Sequence, residues 1–177
     1  PWVRPFGRVE DIPSPDGRWT AVLNTEVGSL DLRGPGAERF SIFRPGSTAH
    51  NVTWSPDSQH LLVVRTHWLP SQPDVGVLAI APIQIWQILV EANQPDEPAL
   101  LFEPTPDSRT PSTQWPSQID FGHWSSNSRY VLFWLGPLSA SIQADGVPLF
   151  ALDVETSKAT LLADAALLNS RYQSWAL

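Results

Sequence analysis

The residues able to do chemistry are few and scattered. Four histidines, His50, His60, His67 and His123, are present, and none stands at metal-ligand spacing from another. His50 and His123 fall before and within strand-like segments, where they read as polar lining rather than a metal pair; His60 follows a turn and reads as a solvent-facing strand residue. Asp16, Asp57 and Asn127 recur in one local context, which invites an acid–base or Ca²⁺ reading. Recurrence argues the reverse, because a residue present once per repeat is a turn former. Trp54, Trp124 and Trp175 recur likewise and fit core packing between repeats better than a ligand cage. No Gly-x-Ser-x-Gly elbow, His-Glu-x-x-His, phosphate loop or dinucleotide fingerprint occurs. No catalytic residue, metal or cofactor is therefore assigned. The sequon Asn51-Val52-Thr53 lies in an expected strand and reads as chance.

The elements that must position these residues are strands. Three segments align without gaps. The first is Ile12-Pro13-Ser14-Pro15-Asp16-Gly17-Arg18-Trp19, the second Thr53-Trp54-Ser55-Pro56-Asp57-Ser58-Gln59-His60, the third His123-Trp124-Ser125-Ser126-Asn127-Ser128-Arg129-Tyr130. Pro at the second turn position pre-sets φ, Asp or Asn at the third tolerates the bridge region, and Gly or Ser comes next. The Ser that opens each turn can accept a hydrogen bond from the turn backbone. The runs after the turns, such as 61–64 and 131–134, are apolar at successive positions, as strands covered on both faces are. A second hairpin closes each copy: 29–33 with 39–43, 83–90 with 99–103, and 149–154 with 159–162.

These residues resemble the repeats of TolB-type and WD-like β-propellers: an apolar strand ending in Trp-Ser-Pro-Asp-Gly, a second strand, then a Leu-x-x-Leu-Asp-x-x-Thr hairpin. Residues 54–57 and 149–156 carry the pattern most fully, and Ser126-Asn127-Ser128 departs from it. The resemblance implies an all-β fold of three four-stranded antiparallel blades plus one extra strand. The expected limits are about 9–43, 50–103 and 118–163, with a fourth blade begun at about 171–177, all within a single propeller region, 1–177. It implies an incomplete ring, completed by the remaining blades of a longer chain or by a second copy.

Blade topology also sorts the connections. The Ser-x-Asp/Asn turns share one face. The longer connections, 67–82, 104–116, 136–145 and 164–170, fall on the other, where His67, Trp68, Asp74, Asp107, Arg109 and Trp115 are the candidate binding side chains. Ser14, Pro15, Asp16, Gly17, Ser55, Pro56, Asp57 and Asn127 are structural.

Composition narrows the function. A net charge of −7, with ten Arg and Lys158 dispersed along the chain, argues against a nucleic-acid binder. The absence of Cys excludes disulfides and thiolate sites. The longest apolar stretch, 75–90, is broken by Gly76, Pro82, Gln84 and Gln87 and does not suit a membrane span. The expectation is a non-enzymatic scaffold that binds a protein or ligand through its long-loop face. The alternative is a propeller portion of a prolyl-peptidase-like hydrolase whose catalytic residues lie outside this chain. The resemblance favours an extracytoplasmic location.

Overall fold

The computed structural model describes residues 8–44, 48–66, 83–91, 93–104, 118–136 and 146–166. All of its regular structure there is strand: β1 Val9–Pro13, β2 Thr20–Asn24, β3 Ser29–Arg33, β4 Arg39–Phe43, β5 Ala49–Trp54, β6 His60–Thr66, β7 Ile83–Leu89, β8 Ala99–Phe102, β9 Gln118–Trp124, β10 Tyr130–Gly136, β11 Val147–Asp153 and β12 Lys158–Ala166. They form three four-stranded sheets, each in sequential order, β1-β2-β3-β4, β5-β6-β7-β8 and β9-β10-β11-β12. The registered pairs are all antiparallel. No helix among the described residues is long and apolar enough to cross a membrane.

By compactness the chain divides into two units, Pro1–Thr66 with Ile85–Leu100, and His67–Gln84 with Leu101–Leu177. The core of the first is built by β2, β3, β5 and β6. In β2 and β3, alternate residues Ala21, Leu23, Leu30 and Leu32 are buried, while their neighbours are half-exposed. This is the period of a strand with one covered face. In β6 the rule changes: Leu61, Leu62, Val63 and Val64 all have zero exposure, so both faces of that strand are covered. Each such side chain contributes roughly 1.5–3 kcal/mol by leaving water. Trp19 and Trp54 complete the cluster.

In the second unit the third sheet buries Val131, Phe133 and Leu152. Phe133 lies between Phe102, centroids 5.1 Å away, and Phe150, stacked at 5.3 Å. Strand β12 departs from expectation: it does not end at 162 but runs to Ala166, into the stretch assigned to a connection. Two register shifts against β11, between Val147 and Leu149 and between Leu149 and Phe150, let the longer strand stay paired.

Candidate functional site

The three Ser turns have one geometry. In the first, the Ser14 amide donates to the Trp19 carbonyl at 2.9 Å and the Gly17 amide to the Ser14 carbonyl at 2.9 Å. Ser14 Oγ accepts from the Trp19 amide and donates to Asp16 Oδ1 at 2.6 Å, and Oδ1 accepts from the Arg18 amide at 3.0 Å. Ser55 with Asp57, and Ser125 with Asn127, repeat these contacts on Gln59 and His60 and on Arg129 and Tyr130. The fourth residue is left-handed in each, Gly17 at φ 71°, Ser58 at 63° and Ser128 at 58°. Pro15 and Pro56 are exposed at the tips. The Ser14 hydroxyl, more than any other group, holds the Asp16 carboxyl below the usual carboxylate range. Asp16 and Asp57 thus accept hydrogen bonds within their own turns.

Two contacts tie the first turn to the second. The Trp54 indole Nε1–H donates to the Ile12 carbonyl at 3.0 Å, and the Asp16 amide donates to Ser58 Oγ at 3.0 Å. In the second unit, Arg129 in the Ser125 turn reaches the closing hairpin. Its Nε and Nη2 donate to Asp153 Oδ2 at 3.1 and 2.8 Å, and Nη1 lies 3.2 Å from Glu155. Asp153 Oδ1 accepts from the Glu155 and Thr156 amides, so the Leu-Asp-x-x-Thr hairpin is capped from within. Arg129 first, then these amides, hold the Asp153 carboxyl below the usual range.

The opposite end of the first unit differs. Ala49 donates its amide to the Gly28 carbonyl at 3.1 Å, and an added Cβ on Gly28, at φ 65°, would lie 2.6 Å from the Thr48 backbone. The Thr48 carbonyl is 3.0 Å from His50 Nδ1. Arg65, near the end of β6, places its guanidinium 4.2 Å from the Phe43 ring centroid and 5.1 Å from that of Trp86. Burial lowers its pKa from the ordinary arginine value. Neither the Arg65 stack nor the Gly28–Thr48 approach is foreshadowed by a motif. Only the Arg that ends the apolar run 61–64 hints at the first.

His60 is not solvent-facing: it is half-buried, with Nδ1 2.5 Å from Gln87 Nε2, because buried Gln87 must find a partner. His50 is half-buried and His123 exposed, and no acidic or histidine cluster fit for a metal occurs among the described residues. Candidates His67, Trp68, Asp74, Asp107, Arg109 and Trp115, together with Trp175, lie outside the described residues.

No family model matches the chain, and no curated protein matches it. Solved structures do. The structure described as a TolB of Agrobacterium tumefaciens matches with a TM-score of 0.51 and 13% identity, over 89% of this chain and 46% of that one. One from a study of two prolyl endopeptidases gives 0.59 and 15%, over 91% and 22%. An acylaminoacyl peptidase in complex with Z-Gly-Gly-Phe-chloromethyl ketone gives 0.58 and 13%, over 90% and 25%. The chain spans less than half the length of each. Likeness at such identity speaks for the fold alone, and the fold it establishes is that of β-propeller blades, TolB-like in kind.

Proposed function

We propose that this chain is the blade-forming part of a non-enzymatic propeller scaffold that binds a protein or ligand on the face opposite its Ser turns. Arg65 carries the reading. Stacked on Phe43 and Trp86, it is held in place before any ligand arrives. It stands where β6 leads into the connection 67–82, which carries His67, Trp68 and Asp74. A fixed cation two residues before a long connection suits recognition of an anionic or carbonyl-rich group. At the other end, the recurring acids are engaged by their own turns, which leaves that end little chemistry to offer. The ring is completed by further blades of this repeat.

A hydrolase reading is favoured by a different observation: the two peptidase structures superpose at 0.59 and 0.58. There the blades would belong to a larger enzyme with its nucleophile elsewhere. A fluorophosphonate probe applied to the product of the whole reading frame separates the two. The scaffold reading expects no labelled serine, together with loss of ligand retention in Arg65→Ala, Trp68→Ala and Arg109→Ala at unchanged melting temperature. A labelled serine within a Gly-x-Ser-x-Gly segment overturns it.

A further inference from the structure

The junction between the first two blades works as a two-point clasp. The second blade gives an indole, Trp54 Nε1–H, to the Ile12 carbonyl, and a hydroxyl acceptor, Ser58 Oγ, to the Asp16 amide. The first blade receives at both points. The aligned positions show which blade can give and which can receive. The third blade has the giving pair, Trp124 and Ser128, and also the receiving pair, the His123 carbonyl and the Asn127 amide. The first blade lacks the giving pair: Pro13 stands in the place of Trp54 and Gly17 in the place of Ser58.

The receiving side of the third blade is open. Asn127 is exposed, and among the described residues it is hydrogen-bonded through Oδ1 alone, to Ser125 and Arg129. His123 is exposed as well. Tyr130, aligned with Trp19, is 41% exposed where Trp19 is 2% exposed. The registers extend the equivalence across the sheet. Ala21 pairs with Leu32 as Leu132 pairs with Ala151, and Leu23 pairs with Leu30 as Trp134 pairs with Leu149. All four of the first-blade residues are buried; of their third-blade counterparts Trp134 is buried, while Leu132, Leu149 and Ala151 are only half-buried.

We propose that this face of the third blade, marked by the His123 carbonyl, the Asn127 amide and the Tyr130 ring, is the receiving surface for a further blade of this repeat that carries Trp and Ser at the clasp positions. The occupant is not the first blade of a second copy, because Pro13 and Gly17 cannot supply either bond. The surface is distinct from the long-loop face and does not depend on its function.

The probe is a synthetic peptide of residues 49–66, the hairpin with Trp54 and Ser58, titrated into the isotopically labelled whole chain. The expected result is a saturable shift of the Asn127 amide, at least tenfold weaker with the peptide carrying Trp54→Pro and Ser58→Gly. Equal binding of the two peptides, or no movement of Asn127 up to the solubility limit, overturns the proposal. A second measurement needs no peptide to fold. Ser126→Cys and Arg18→Cys place thiols at two exposed turn tips in a chain free of cysteine. Efficient disulfide linkage between the third blade of one copy and the first of another would overturn the proposal; no linkage above that of either single variant is expected.

Discussion

At one end of the first unit the chain reverses through turns that close on themselves. Ser14 and Ser55 hydrogen-bond backbone only five residues away, and their partners Asp16 and Asp57 reach two residues on. At the other end, distant segments meet main chain to main chain, Gly28 against Thr48, and an arginine lies over aromatic rings from β4 and β7. The first arrangement needs only a short stretch of sequence to specify it. The second depends on two blades already being side by side. Stability should therefore be lost in different ways at the two ends.

The largest loss is expected at one of the two distant contacts of the local end. Trp54 is 7% exposed and packs in the core while its indole serves Ile12. Trp54→Ala should cost about 3–5 kcal/mol, as large-to-small core changes do. Trp54→Phe keeps most of the packing and leaves the Ile12 carbonyl without its donor, so about 1–2 kcal/mol is expected. Denaturant midpoints measure both. Equal losses in the two variants would mean that the hydrogen bond adds nothing and that the clasp is packing alone.

Next come two glycines with almost the same backbone angle, Gly17 at φ 71° and Gly28 at φ 65°. Around Gly17 an added Cβ meets nothing within 4 Å, so Gly17→Ala should register the left-handed strain alone, about 1 kcal/mol. At Gly28 the same strain is joined by a 2.6 Å approach to the Thr48 backbone, which cannot rotate away. Gly28→Ala should therefore cost roughly 3 kcal/mol. If the two variants melt together, the blades separate at that end without penalty, and the contrast between the ends fails.

The same contrast explains what can be read from the chain. The all-β architecture of three four-stranded sheets is legible because turn chemistry and strand propensity act over a few residues: Ser, Pro and Asp shape the reversal, and Val, Leu, Ile and Phe fill the strand after it. Which face each sheet buries is not legible. Thr20-Ala21-Val22-Leu23 and Tyr130-Val131-Leu132-Phe133 are both apolar enough for either face, yet one sheet buries Ala21 and Leu23 and the other Val131 and Phe133. Neighbouring sheets decide that, not the strand. A solvent-facing His60 fails for the same reason, since Gln87, its partner, stands on another strand. The continuation of β12 to Ala166 rests on bulges set by pairing with β11. The stacking of Arg65 is not legible either, because it is set by Phe43 and Trp86, both remote in sequence.

The smallest expected effect separates the ends by charge. Gly28 and Thr48 meet through uncharged backbone, so the penalty of Gly28→Ala should not vary with pH. The turn end of the third blade holds an ionised group instead. Asp153 is 8% exposed and its carboxyl is kept below the usual range, first by Arg129 and then by two amides. A carboxyl with a lowered folded pKa stabilises the fold fully above its unfolded value, near 3.8, and loses that contribution as pH falls through the folded value. Asp153→Asn keeps an oxygen for the Glu155 and Thr156 amides but gives up the charge facing Arg129. It should melt below the unsubstituted chain at pH 7, and the gap should narrow steadily once the pH drops below about 4. Melting curves of the two proteins between pH 7 and pH 2.5 decide it. A gap that stays constant would place the contribution of Asp153 in the shape of its hairpin, and the turn end would then be as indifferent to charge as the Gly28 end.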